Sequence, residues 1–132
     1  MSQLHDLLRL RVDVFVVEQQ CAYPELDGRD DEPGTRHIWI PDVDSRPMGY
    51  LRVLDDGREQ RIGRVVVAPE HRSDGLARRL LDHALEAHPG PVVLDAQTYL
   101  QGWYEQLGFR VSGPEFLEHG IPHVPMRRTD LT

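Results

Sequence analysis

A chain of 132 residues, 39% apolar and 28% charged, suits one packed domain that needs neither disulfides nor a structural metal to hold its core. Its formal net charge of −7 argues against non-specific binding to nucleic acid or an anionic membrane, and is compatible with a cationic substrate. A lone cysteine, Cys21, excludes an internal disulfide, and no apolar run reaches the ~20 residues of a membrane span, so a cytoplasmic protein is expected.

In chain order, Leu4, Leu7, Leu8, Val12 and Phe15 recur at helical spacing, with Ser2 as a cap and Arg11 on the same stripe. Residues 21–35 hold two prolines, two glycines and a cluster of acids, and read as a loop or a ragged short helix. Strands are expected over His37–Ile40 and Met48–Leu54, then a turn at Asp56-Gly57 and a strand over Arg61–Val67. The run Ile62–Val67 alternates little between polar and apolar residues, which suits a central strand. A helix follows from Leu76 to about His88, its stripe formed by Leu76, Ala77, Leu80, Leu81, Ala84 and Leu85 and its end set by Pro89-Gly90-Pro91. Val92–Asp95 reads as a strand, Thr98–Leu107 as a helix closed by Gly108, and Phe109–Ser112 and Pro122–Met126 as two last strands around the turn at Glu118-His119-Gly120. This order predicts one α/β domain over residues 1–132, a mixed sheet with helices on both faces.

One junction carries chemistry on residue type alone. The strand Ile62–Val67 leads through Arg72-Ser73-Asp74-Gly75-Leu76-Ala77 into a long amphipathic helix. Unbonded amides at a helix N-terminus, with the helix dipole behind them, attract phosphate. Gly75 allows close backbone approach, small Ala77 leaves the first turn uncrowded and Arg72 can add charge. Neither a GxxxxGK[ST] nor a GxGxxG pattern is present.

The pattern Arg72-x-x-Gly75-x-Ala77 after a Val-rich strand resembles the acyl-CoA signature of the GNAT N-acetyltransferases, and Trp103-Tyr104-Glu105-Gln106-Leu107-Gly108-Phe109 is similar to a second family element downstream. The stretch 15–21 (FVVEQQC), Asp27-Gly28 and Gly120-Ile121-Pro122-His123 resemble the ElaA-like branch. The resemblance implies a GNAT-like fold, acetyl-CoA as co-substrate and a small-molecule or peptide amine as acceptor. Members usually begin with a strand before the first helix. Here that strand is missing or very short, or a partner chain, as in a homodimer, covers the edge.

The resemblance further implies that the pyrophosphate lies on the amides of Ser73, Asp74, Gly75, Leu76 and Ala77 beside Arg72, and that the pantetheine arm pairs with the backbone of Val65, Val66 and Val67. An N–H near Val65 would face the thioester oxygen. Tyr104, otherwise a core tyrosine in the stripe Leu100, Trp103 and Leu107, sits where the family's general acid sits.

The general base is open among Glu18, His37, Asp95 and His123, or a water relay to several of them. His123 lies in the terminal hairpin and Glu18 at the end of the first helix, both of which line the family's cleft. Arg11 and Glu18 have an alternative reading as an internal ion pair. The acidic loop from Glu25 to Glu32 is a candidate for attracting a cationic acceptor. No metal is expected, since the seven histidines show no HExxH spacing, and the one HxxxH pair, His119 and His123, spans the turn at Gly120 and Pro122 and not one helix face. Two other functions fit parts of the pattern: acyl transfer of the acyl-homoserine-lactone-synthase type, and a non-catalytic CoA-binding module.

Overall fold

The structure, a computed structural model, describes residues 2–12, 14, 28–72, 75–87 and 90–129. Glu18, Ser73 and Asp74, along with Phe15, Cys21 and residues 25–27 of the acidic loop, lie outside the described residues.

Helix α1 spans Ser2–Val12. Strands β1 (Arg36–Pro41), β2 (Pro47–Asp55) and β3 (Gln60–Val67) follow as an antiparallel meander. Helix α2 (Leu76–Ala87) crosses to β4 (Val92–Gln97), which lies parallel to β3. A 3₁₀ turn at Thr98–Leu100 runs into α3 (Gln101–Glu105), and β5 (Arg110–Val111), β6 (Phe116–Glu118) and β7 (Ile121–Arg128) complete the chain. The seven-stranded sheet has the order β1-β2-β3-β4-β7-β5, with β6 also on β7. Among the described residues no strand precedes α1, and β1 forms one edge.

Alternation along β2 builds the two faces. Leu51 and Val53 pack with Leu80, Leu81, Ala84 and Leu85 of α2. A Cβ on Gly49 would lie 3.0 Å from Leu80, so α2 also rests directly on backbone there. Tyr50 turns the other way and packs with Leu7 of α1, Val14 and Val66. The helices therefore cover opposite faces, as the α/β reading requires.

Two elements differ from expectation. The segment expected as one helix over Thr98–Leu107 divides into a 3₁₀ turn and the short α3. The strand that meets β7 across the His119-Gly120 turn is β6, not the Phe109–Ser112 segment, whose Arg110 pairs instead with Arg127 at the far end of β7. Gly113 and Pro114 separate the two strands, because proline cannot donate to a continuing ladder.

Candidate active site

The feature that positions a site is where the sheet comes apart. β3 and β4 pair only through Gln60↔Val92 and Arg61↔Val93. Beyond that, β3 continues to Val67 along β2, and β4 continues to Gln97 along β7. The two arms diverge, leaving a notch in the middle of the sheet. At its base the Arg61 guanidinium donates to Asp95 at 3.3 Å, a clasp from one arm to the other.

The open edge of β3 has a readable polarity. The Ala68 N–H donates to Met48 O at 2.8 Å, so alternation turns the N–H and C=O of Val67 away from β2. They face the side that β4 has left. Val67 O is taken by Arg72 Nε at 3.2 Å, so the arginine that sequence reasoning set beside phosphate also secures the end of β3. Just before this stretch the register with β2 slips by one residue between Tyr50 and Arg52, and Arg64 takes φ +54°. This is a bulge, which bends a strand and re-aims its side chains.

Gly75, at the N-terminus of α2, has φ +71°, a conformation that favours glycine. Among the described residues, its chain neighbours aside, nothing lies within 4 Å of where its Cβ would be. Leu76 is buried among the core residues, while Ala77 is half-buried.

A cavity of about 350 Å³ fills the notch. Val65, Tyr104 and His123 line it together, with Asp95, Tyr99, Glu118 and His119. Arg52 and Leu54 also line it, and they lie on the α1 side of β2, so the cavity reaches that face. Tyr104 is positioned by a Schellman ending to α3. Gly108 takes φ +94°, the Phe109 N–H donates to Tyr104 O at 3.2 Å and the Gly108 N–H donates to Glu105 O at 3.1 Å. The ring packs edge-on against Trp103 and Phe109, with centroids 4.9 and 5.8 Å away. Burial, reinforced by nearby Tyr99, pushes the phenol up to about 12, so it stays protonated at neutral pH.

His123 is also buried, at 9% exposure, with its ring stacked on Phe116. Its Nδ1–H donates to Ile121 O at 2.7 Å, which fixes the tautomer and leaves the lone pair on Nε2. Nε2 lies 3.7 Å from Glu118 Oε2. Sequence reasoning read Glu118 only as a turn residue. Its place two residues before Gly120 in a hairpin directed at the cavity was the available signal.

Other candidates are drawn elsewhere. The His37 ring is bonded through Nδ1 to the Tyr50 hydroxyl and through Nε2 to Asp30 O, away from the cavity lining. Within the described part of the acidic loop, Asp30 is bound by buried Arg11 and by Arg52, and Glu32 by Arg29. Burial works against the Asp30 charge, but the Arg11 hydrogen bond and both guanidiniums hold its carboxyl below the usual range. Asp30 and Glu32 therefore brace the fold.

The family described as Acetyltransferase (GNAT) domain matches residues 5–129. A UPF0039 protein of Mycobacterium tuberculosis is 49% identical over 95% of this chain and 83% of its own length. An acyl-CoA N-acyltransferase structure from Pseudomonas aeruginosa superposes with TM-score 0.92 at 39% identity, covering 98% of this chain and 92% of that one. Escherichia coli ElaA superposes with TM-score 0.89 at 40% identity, covering 97% and 90%.

Proposed function

The chain belongs to the GNAT acetyltransferase family, in its ElaA-like branch, and we propose that it is a single-domain cytoplasmic enzyme, residues 1–132, that moves the acetyl group of acetyl-CoA onto a primary amine. The observation that carries this reading is the notch itself. Backbone donors of β3, a protonated phenol and an imidazole lone pair converge on one cavity in the middle of the sheet. The 39% identical acyl-CoA N-acyltransferase of P. aeruginosa supports a CoA thioester as donor.

The residues fit the donor on both of its recognisable parts. The amides at the start of α2, next to Gly75, would take the pyrophosphate; Ser73, Asp74 and Arg72 are assigned with them. The free edge of β3 over Val65–Val67 would pair with the amide-bearing pantetheine arm as a strand would. The α2 side then admits the donor and the α1 side admits the acceptor.

In the reaction the amine nitrogen attacks the thioester carbonyl carbon, and the carbonyl oxygen gains charge. The Val65 N–H donates to that oxyanion. His123 Nε2 accepts the proton that the nitrogen must lose, and Glu118 steadies the imidazolium. As the C–S bond breaks, Tyr104 gives its phenolic proton to sulfur and later recovers one through the His123 side of the cavity. Glu18 remains an alternative base from the end of the first helix, and Asp95 is held by Arg61.

Incubation with acetyl-CoA and a panel of peptides, polyamines and small amines tests the reading. Thiol release that depends on one class of amine, with a product heavier by one acetyl group, is expected. Coenzyme A binding without amine-dependent thiol release across the panel would contradict it and favour a binding module.

A further inference from the structure

The β2 and β3 arm of the notch presents a wall of arginines to the cavity: Arg52, Arg61 and Arg64, with Arg29 of the preceding loop. All four are engaged within the protein. Arg52 holds Asp30, Arg61 holds Asp95 and Asp56, Arg29 holds Glu32 and Asp56, and Arg64 is engaged as well. One position in this wall has no side chain. Gly63 lines the cavity from β3, beside Arg52 in the register with β2 and two residues after Arg61.

A glycine inside a strand costs stability, because it packs nothing and loses more freedom on folding than any other residue. It suits a position where the backbone needs positive φ, where a neighbour leaves no room for a Cβ, or where a ligand passes close. Gly49 of β2 is the second case, since its Cβ would meet Leu80 at 3.0 Å. Gly63 fits neither of the first two. The positive φ of the β3 bulge falls on Arg64 and not on Gly63. Among the described residues, its chain neighbours aside, nothing lies within 4 Å of where its Cβ would be. A side chain there would leave the sheet on the same face as its cross-strand partner Arg52, the α1 side that the cavity reaches. The third case remains, a ligand over the bare strand.

The donor is assigned to the α2 side and to the edge of β3 beyond the bulge. Gly63 lies before the bulge and just past the last β3–β4 pair, Arg61↔Val93, so its bare backbone opens on the notch from the acceptor side. We propose that Gly63 is a specificity-determining residue: the space its missing side chain leaves receives the body of the acceptor. That acceptor is a primary amine with a bulky, largely apolar group beside its amine-bearing carbon, and Leu54 and Ile121 of the cavity lining are the apolar side chains that meet it. This rests on the reading of the site as an amine acetyltransferase, and it names the acceptor class within it.

The test compares glycinamide, leucinamide and phenylalaninamide as acceptors in the parent, Gly63→Ala and Gly63→Val. Residue 63 does not use positive φ, so both replacements should keep or raise Tm and leave coenzyme A affinity unchanged. The parent should prefer a larger amide over glycinamide by about ten- to a hundredfold in kcat/KM, the scale of discrimination by an apolar pocket. That preference should shrink in Gly63→Ala and vanish in Gly63→Val, through a higher KM for the larger amide. A second readout needs no turnover: calorimetric binding of the three N-acetylated amides, with coenzyme A present, should show the same order and the same dependence on residue 63. No preference for a larger amide in either readout, or one that survives in Gly63→Val, would overturn the proposal. So would a Tm lowered in both variants, which would make glycine a requirement of the fold, or a weakened coenzyme A affinity, which would give the space to the donor. If no amine is acetylated, the catalytic reading fails on its own, and the binding comparison still decides for or against the acceptor space.

Discussion

At the scale of single residues, Tyr104 serves both packing and chemistry. It belongs to the main core cluster and lines the cavity. Sequence spacing placed it in an apolar stripe, and only the resemblance assigned it a proton. Burial raises its folded-state value to about 12 against about 10 in an unfolded chain. The stability it contributes is therefore complete below pH 10 and is lost as pH rises from 10 toward 12, by at most about 2.7 kcal/mol. Tyr104→Phe should flatten part of the alkaline loss seen in denaturant titrations at pH 9 to 11.5. Asp30 has the opposite sign. Its lowered value gives stability that is present above about pH 4 and lost as pH falls through the folded-state value. Asp30→Asn leaves buried Arg11 and Arg52 without their shared carboxylate and should cost about 3 kcal/mol at pH 7 in urea unfolding, with a smaller deficit at pH 3. His123→Asn places an amide donor where the Nδ1–H bonds Ile121 O and removes the base. Its kcat/KM should fall about 100-fold at pH 7 and recover toward the parental value as pH approaches 10, where the free amine loses its own proton. A deficit that stays constant with pH would assign His123 a structural role.

At the scale of elements, the start of α2 decides donor binding. Gly75 at φ +71° cannot be replaced by proline, whose ring holds φ near −65°. Coenzyme A at 100 times its dissociation constant should stabilise the parent by about 2.7 kcal/mol, a shift of several degrees in Tm. In Gly75→Pro the shift should vanish; a full shift would mean the pyrophosphate lies elsewhere. The strand-turn-helix order that points to this site was legible, because glycine at the junction and the apolar stripe of α2 are local signals. The β6–β7 hairpin was only partly legible. The turn at His119-Gly120 was evident, but the three-residue β6 is too short for a periodic signal, and its pairing was given to the wrong strand. The division of the segment after β4 into a 3₁₀ turn and a five-residue α3 was hidden for the same reason.

At the scale of the molecule, the function depends on a sheet that stops pairing partway. The central position of β3 was legible from its Val-rich run, and two-faced helix packing followed from α1 and α2. The divergence after Arg61↔Val93 was not, since the extent of pairing is set by helices, the bulge at Arg64 and the clasp of Arg61 on Asp95, all of them long-range. For the same reason the arginine wall was invisible. Its members come from a loop and two strands and converge only in the fold. The central claim is that this notch transfers an acetyl group with Tyr104 as the proton donor to sulfur. Single-turnover acetyl transfer by the parent and by Tyr104→Phe, with acetyl-CoA affinity measured alongside, tests it most directly. The account predicts a chemical step slowed by about 10²–10⁴-fold with donor affinity within about twofold of the parent. A Phe variant that folds, binds acetyl-CoA and transfers acetyl at the parental rate would contradict it.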